Sequence, residues 1–333
     1  MADKAHILTD KKLEEMERRL SAIYSASHKK IQAKMLEFAK NIDGKASELL
    51  KATKEAKTET EEKAAKNAYL QYFKKEVIKS KAFKDLSAQI ALDLFNTNTE
   101  ASAYINSQTP EIYALNYNWI NKEMEKDIPD FVSQQITPEE ADKYGDLTKQ
   151  TVSKAKDTRW NEDNIKKSVV VGATLLLGAS AIMKRSAKLT VEKNRNSSYR
   201  QNIDMGGDAE TKARYDGLLR SDAMGHKHTK IWRSAGDNKV RDSHAHLDGT
   251  EIDIDGTFSN GLKRPKDPNG RPEEVCNCRC TLLWGGYGEK SSIRTARQGE
   301  VTGSYKKSSS FKGTKSIEVA NMPYKELMKW LNQ

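Results

Sequence analysis

The chain has 333 residues and a formal net charge of +10, and 36% of its residues are hydrophobic while 31% are charged. This length allows two domains with separate cores, and the low apolar content leaves much of the chain as solvated surface. The positive charge favours a polyanionic partner, nucleic acid first and a membrane surface second. The three cysteines, Cys276, Cys278 and Cys280, stand too close together for a disulfide framework, and the N-terminus lacks the pattern of a secretory signal.

The first half of the sequence is predicted to be helical. Apolar residues recur at spacings of three and four through 10–40, which places them on one stripe of a helix that Gly44 is expected to end. Pro110 follows Thr109 in a pattern typical of a helix start, because the missing N–H of proline does no harm in a first turn. Thr137 and Glu140 fit a capping box that opens another helix. We interpret 1–165 as a helical N-terminal region.

An uncharged stretch covers residues 168–183 and is bounded by basic residues on both sides. A helix that spans a membrane needs about 20 apolar residues, so a buried central helix is favoured over membrane contact by this stretch. Its glycines and alanines suit close packing in lipid and in protein equally well. The residues after it are basic up to about position 200, and 166–205 is therefore interpreted as an apolar central helix with a basic connector.

Short runs compatible with β-strands appear at 231–233, 250–255 and 280–284. They predict a small α+β module over 206–288. The predicted fold class is therefore a mainly α N-terminal region with a small α+β C-terminal module.

The C-terminal segment, 289–333, is predicted to be a flexible basic tail with a short terminal helix. Residues 289–316 hold seven basic and two acidic residues among many serines, threonines and glycines. Such a tail can follow a phosphate backbone without reading the base sequence. The candidate DNA contacts in it are Lys306, Lys307, Lys312 and Lys315.

Histidines and cysteines are concentrated in the predicted α+β module. His244 and His246 form a His-x-His pair, and Cys276, Cys278 and Cys280 follow, all of residue types that zinc prefers. Residues i and i+2 of an extended strand lie about 6.6 Å apart, whereas two thiolates on one zinc ion lie about 4 Å apart. Two such cysteines share a metal only where the chain turns between them. A zinc site that stabilises the module, and buried cysteines packed beside a hydrogen-bonded histidine, therefore both stay open.

The same region resembles the phage head morphogenesis family. The resemblance is carried by the runs WRSAGD at 232–237, RDSH at 241–244, LDG at 247–249 and NCRC at 277–280, in the family's order and at its intervals. Members of that family, such as the F protein of phage Mu, are low-copy virion components implicated in head assembly. They are also linked to the portal and to the packaged genome.

The resemblance implies roles for particular residues. It supports His244, Cys278 and Cys280 as metal ligands and does not support Cys276 or His246. The fourth ligand stays open, with Asp237 and His246 as candidates. Gly249 is expected to form a tight turn with positive φ, and Arg241 to pair with a carboxylate rather than with a phosphate. The motif positions with structural roles are Trp232, Asp237, Arg241, Asp248, Gly249 and Arg279.

The function implied by the resemblance is that of a minor head protein in head assembly at the portal vertex, with a role in genome packaging or ejection. Portal and scaffolding proteins and non-specific DNA are the expected partners, zinc is the candidate cofactor, and no small-molecule substrate is expected. The expected location is the capsid interior near the portal, and the host cytoplasm during assembly. The alternative is a zinc-dependent, nuclease-like enzyme that uses His244 or His246 as general base. Four protein ligands close a zinc ion to substrate, and we therefore expect no catalysis.

Overall fold

The structure is a computed structural model that describes residues 3–285, 293–295 and 318–320. Most of this part of the chain is helical. The α-helices are α1 (Lys4–Glu55), α2 (Glu59–Gln71), α3 (Lys81–Asp127), α4 (Pro138–Tyr144), α5 (Lys154–Thr174), α6 (Ala179–Ala223), α7 (Asp242–Leu247) and α8 (Pro272–Val275), and a π-helical segment spans Tyr72–Val77. The strands are β1 (Thr229–Arg233), β2 (Glu251–Asp253), β3 (Thr281–Trp284), β4 (Ile293–Thr295) and β5 (Glu318–Ala320). The predicted fold class is confirmed.

Contacts group the chain into two compact units. The terminal unit takes its described residues from 1–15, 106–149 and 200–333, and the middle unit comprises 16–105 and 150–199. Helices α1, α3 and α6 each supply residues to both units, so the limits between the units fall inside continuous helices. The basic residues that were predicted to form a connector before position 205 are part of α6, because the helix continues through them.

Two of the predicted helix boundaries are wrong, and one is confirmed. Thr137 and Glu140 form the predicted capping box at the start of α4. Gly44 lies inside α1 and Pro110 inside α3. A glycine costs a helix about 1 kcal/mol and a proline about 3 kcal/mol, and the packing of long amphipathic faces can outweigh both. Ile112, two residues after the proline, is 1% exposed.

The uncharged stretch 168–183 does not form one helix. α5 ends at Thr174, Leu176 takes a left-handed φ of +52°, and α6 begins at Ala179. The prediction of a single central helix is wrong because the chain reverses at Leu176 and the two halves pack on each other. None of the helices in the described residues carries an apolar stretch long enough to cross a membrane.

The terminal unit contains a three-stranded antiparallel sheet in the order β2-β1-β3. In the register of β1, Trp232 lies opposite Leu282 of β3. The hydrophobic core on this sheet joins Trp232 and Leu282 to Ile120 of α3 and Leu218 of α6. The sheet is therefore fixed by helices that come from distant parts of the sequence.

The segment that was predicted to be a flexible tail contains two short paired strands. Ile293–Thr295 pairs antiparallel with Glu318–Ala320. The predicted terminal helix and the four candidate lysines, Lys306, Lys307, Lys312 and Lys315, lie outside the described residues.

Candidate metal centre

The structure brings together the three residues that were predicted to hold a metal. His244 lies in α7, and Cys278 and Cys280 lie in the segment that leads into β3. The Nδ1 atom of His244 is 3.4 Å from the Sγ atom of Cys278 and 3.5 Å from that of Cys280. All three ligand atoms lie within 4.8 Å of one another, and all three residues are buried. We call this set the His/Cys cluster.

The geometry of the cluster fits a zinc ion. A sulfur and a nitrogen bound to tetrahedral zinc at about 2.3 and 2.0 Å lie about 3.5 Å apart, which matches both distances from His244. The chain also turns between the two cysteines, as a shared metal requires, because the backbone N–H of Cys280 donates to the Sγ atom of Cys278 over 3.4 Å. Asn277, directly before Cys278, has a φ of +54°. Two thiols and an imidazole are the donor set that zinc prefers over calcium or magnesium.

Glu274 of α8 orients the histidine. Its Oε2 atom lies 3.0 Å from the Nε2 atom of His244. A carboxylate in this position holds the proton on Nε2 and leaves the Nδ1 lone pair directed at the two sulfurs, as in many zinc sites. Burial alone raises the pKa of the Glu274 carboxyl, but a hydrogen bond from Asn260 and the neighbouring His244 hold it below its usual value. Glu274 was not predicted from the sequence, because nothing in the sequence distinguishes it from the adjacent Glu273.

The two buried thiols are not equivalent. A hydrogen bond from Cys280, with His244 acting in the same direction, lowers the pKa of the Cys278 thiol well below its usual value. Burial raises the pKa of the Cys280 thiol, and the neighbouring Cys278 raises it further. Because metal ligands must be deprotonated, binding of zinc at this cluster would release protons.

Neither candidate for the fourth ligand joins the cluster. The carboxylate of Asp237 pairs with Arg279 at 2.6 Å. His246 is exposed, and its Nδ1 atom lies 2.5 Å from the carbonyl oxygen of Asp242. Cys276 is exposed as well. Among the described residues, three protein ligands therefore meet where four were expected.

The remaining motif residues surround the cluster. Trp232 is fully buried, with its ring 5.0 Å from that of His244. Asp248 accepts a hydrogen bond from the backbone N–H of Ser234, and Gly249 has a φ of +75° in the turn that follows. Arg241 donates to the carbonyl oxygens of residues 274 and 276. The prediction that Arg241 pairs with a carboxylate is therefore wrong, because the guanidinium group binds the free backbone carbonyl groups at the end of α8.

A charged cluster that the sequence analysis missed lies elsewhere in the terminal unit. Arg214 is completely buried and contacts Asp3 at 2.5 Å and Glu210 at 3.2 Å. Glu210 also lies 2.8 Å from the Nδ1 atom of His6 and accepts a hydrogen bond from Thr281 of β3. These contacts connect the start of α1 with α6 and the sheet. No sequence signal pointed to them, because the partners are up to 211 residues apart.

Comparison with known proteins identifies the region around the cluster. Residues 162–283 match the family model described as Phage Mu protein F like protein. The matched segment contains the whole His/Cys cluster and Glu274. This segment of the chain is similar to the phage Mu F-like family. The family segment begins well before the 206–288 module that was predicted, and it includes most of α5 and all of α6.

A curated relative of this chain is the Minor head protein GP7 of Bacillus phage SPP1. It is 35% identical over 71 residues, which cover 20% of this chain and 23% of the relative. The chain therefore matches about a quarter of that protein's length. No solved structure matches the chain.

Proposed function

We propose that this protein is a minor component of a tailed-phage head that acts in head assembly. The observation that carries the proposal is the F-like segment, because it contains all three residues of the His/Cys cluster and most of the α+β module. The name of the SPP1 relative, a minor head protein, supports the same role. The function follows from the family of this segment, since the fold alone does not determine a function.

The proposal includes a position and partners. The protein acts in few copies at the portal vertex inside the capsid, where it contacts the portal and scaffolding proteins and has a role in genome packaging or ejection. It meets these partners in the host cytoplasm during assembly. Its excess of 57 basic over 47 acidic residues supports contact with the packaged DNA, and the lysines of the tail remain proposed contacts.

The role of the His/Cys cluster in this proposal is structural. Zinc held by His244, Cys278 and Cys280 would connect α7 to the segment before β3. The hydrogen bond between Glu274 and His244 would connect α8 to α7 as well. Bound zinc supplies folding free energy at such a site. The three ligands are at most 4% exposed, which supports a structural site over a catalytic one that must admit substrate.

The proposed role is tested on virions of a phage that carries this chain. Mass spectrometry should detect the protein in purified heads, and crosslinking of procapsids should connect it to the portal protein. A virion that contains no peptide of this chain would contradict the head assignment. Crosslinks confined to the major capsid protein would contradict the portal position alone.

Two cysteine variants test whether incorporation depends on the His/Cys cluster. Cys276→Ala changes an exposed cysteine outside the cluster and should leave incorporation unchanged. Cys278→Ala should lower it, because the α+β module loses a ligand. Equal incorporation of both variants would show that assembly does not depend on the cluster.

A further inference from the structure

Helices α5 and α6 form an antiparallel hairpin within the middle unit. The side chain of Asn161 lies opposite Asn194, and the hydroxyl of Ser168 contacts that of Ser186. Gly172 allows Ile182 to approach, because a Cβ atom at this glycine would lie 3.0 Å from the isoleucine. The apolar and small residues of both helices are therefore used within the hairpin.

The exposed surface of this hairpin is rich in basic residues. Residues 150–199 hold ten lysines and arginines against four aspartates and glutamates. The exposed basic residues are Lys154, Lys156, Arg159 and Lys167 on α5, and Lys184, Arg185, Lys188 and Lys193 on α6. Trp160, 45% exposed, lies among those on α5. We call this surface the hairpin patch.

Several cations of the hairpin patch have no carboxylate partner. Lys188 pairs with Glu192 at 3.9 Å. Within the part of the chain that the structure describes, no ion pair is made by Lys167, Lys184, Arg185 or Lys193. On α1 and α2, several exposed lysines are neutralised by glutamates three or four positions away, as Lys40 is by Glu37. The hairpin therefore carries at least four cations that no carboxylate of the described residues neutralises.

A cleft of about 120 Å³ opens within the hairpin patch. Its lining includes Asn164, Lys167 and Ser168 of α5 and Leu189, Thr190 and Lys193 of α6. Thr190 is 1% exposed, and its hydroxyl has no hydrogen-bond partner. Lys193 donates to the side chain of Asn164 over 2.7 Å, which holds its ammonium group at the cleft. A buried free hydroxyl beside two ammonium groups is a set of donors for an oxyanion.

We propose that the hairpin patch binds the phosphate backbone of duplex DNA, with one phosphate seated at this cleft. The inference rests on the proposed function, because it assigns the DNA contact to a folded surface. Lys156 and Lys167 are eleven residues apart on α5, about three full turns, so they share one face of the helix about 16 Å apart. That length matches about five base pairs at 3.4 Å each. Backbone contacts of this kind position a protein on DNA without reading its sequence.

A membrane surface fits the hairpin patch less well than DNA. An amphipathic helix that lies in a membrane buries a continuous apolar face in the lipid. The apolar residues Ile165, Val169 and Ala173 of α5 are completely buried within the protein and cannot serve in this way. The exposed apolar residues of α5 and the turn are Val171, which lines the cleft, and Leu175, and these two do not form a continuous apolar face. The positive charge is therefore the feature that a partner must match.

The test uses three variants of the full chain that lose the same four positive charges. The hairpin variant replaces Lys167, Lys184, Arg185 and Lys193 with Gln. The tail variant replaces Lys306, Lys307, Lys312 and Lys315 with Gln. The control variant replaces Lys40, Lys45, Lys51 and Lys63 with Gln, all of which are paired with glutamates. Binding of a short DNA duplex is measured by fluorescence anisotropy over a series of salt concentrations.

The hairpin variant should bind about tenfold more weakly at low salt, with a salt slope shallower by about 0.9 for each lost phosphate contact. The control variant should change affinity less than about threefold, since its lysines are already neutralised. A hairpin variant that binds like the control overturns the inference. A tail variant that alone loses binding leaves the proposed DNA contact in place and overturns only the hairpin patch. Failure of the natural chain to bind any duplex overturns both.

Two further measurements decide the partner and the cleft. Natural chain that binds phosphatidylglycerol vesicles or polyglutamate, but not DNA, would overturn the assignment in favour of a membrane or an acidic protein. Thr190→Val removes the unpartnered hydroxyl and should leave the melting temperature unchanged or raise it. The same variant should weaken DNA binding. Unchanged DNA binding by Thr190→Val would remove the cleft from the binding surface.

Discussion

In the middle unit, asparagine side chains carry a buried hydrogen-bond network between helices. Asn98 of α3 donates to Asn194 over 2.7 Å and to Asp157 over 2.9 Å. Asn194 in turn donates to Asn161 over 2.8 Å, and Tyr24 of α1 donates to Asn98 over 2.7 Å. Four helices are therefore joined mainly through neutral donors and acceptors.

In the terminal unit, the corresponding network is charged. Arg214, Glu210, His6 and Asp3 form ion pairs at distances of 2.5 to 3.2 Å. Arg214 also donates to the side chain of Asn116. The charged network holds the start of α1 against α6 in the way that the neutral network holds helices in the middle unit.

The difference between the two networks predicts how strongly a single substitution destabilises each unit. Removal of one partner from a buried ion pair leaves an uncompensated charge and costs about 3–5 kcal/mol. Removal of one partner from a neutral hydrogen bond leaves a buried dipole and costs about 1–3 kcal/mol. The terminal unit should therefore be more sensitive to single substitutions and to pH. It also contains the His/Cys cluster, which makes it sensitive to metal.

The largest effect is expected at the His/Cys cluster and applies to the terminal unit alone. Cys278→Ala or His244→Ala should lower the free energy of unfolding by about 5 kcal/mol or more, because structural zinc contributes about 10–16 kcal/mol in small domains. Chelation of the natural chain should cause a similar loss. Cys276→Ala should change the free energy of unfolding by less than about 0.5 kcal/mol. Thermal melting of each variant, with and without chelator, measures these differences.

Elemental analysis provides the independent check on this effect. The purified chain should contain one zinc ion per molecule, and Cys278→Ala should not. Absence of stoichiometric zinc together with a melting curve that chelation leaves unchanged would reject the metal. The cluster would then be explained by packing of Trp232, His244 and the buried thiols.

The next largest effect compares the two networks directly. Arg214→Met keeps most of the side-chain volume but leaves Glu210 buried without its guanidinium partner. It should lower the free energy of unfolding by about 3–5 kcal/mol. Asn98→Ala in the middle unit should lower it by about 1–3 kcal/mol. Chemical denaturation of both variants measures the difference, and an equal loss would contradict the distinction between the networks.

The sequence predicted local features of these units better than distant contacts. The capping box at Thr137 and the three strands of the sheet were found, because their signals lie within a few residues of one another. His244, Cys278 and Cys280 were predicted as ligands from their residue types together with the family resemblance. Their geometry required the chain to turn between Cys278 and Cys280, which spacing alone could not establish.

The errors have a common physical cause in tertiary packing. Gly44 and Pro110 were expected to limit helices, yet packing along both helices outweighs the local cost. The uncharged stretch 168–183 looked like one helix, because hydropathy does not reveal that its halves pack against each other. Arg214 looked like an ordinary surface residue of a charged helix. Its partner Asp3 lies 211 residues away, beyond the reach of any local pattern.

The smallest expected effect is a pH dependence confined to the charged network. Burial alone lowers the pKa of His6, but the Glu210 carboxylate overrides it and raises this pKa from 6.5 to about 9. A raised histidine pKa contributes stability that is complete below pH 6.5 and is lost as the pH rises through 9. Burial alone raises the pKa of Glu210, but His6 and Arg214 lower it from 4.5 to about 2. The stability that Glu210 contributes is therefore complete above pH 4.5 and is lost as the pH falls through 2.

The His6→Gln variant isolates the basic half of this dependence. Glutamine can still donate a hydrogen bond to Glu210 but carries no charge to lose. Between pH 6.5 and 9 the natural chain should lose about 1–2 kcal/mol more stability than His6→Gln, after allowance for the partial exposure of the histidine. Asn98→Ala, in the neutral network, should keep the pH slope of the natural chain. Denaturation at a series of pH values measures all three, and identical slopes for the natural chain and His6→Gln would show that the histidine carries no charge in the folded protein.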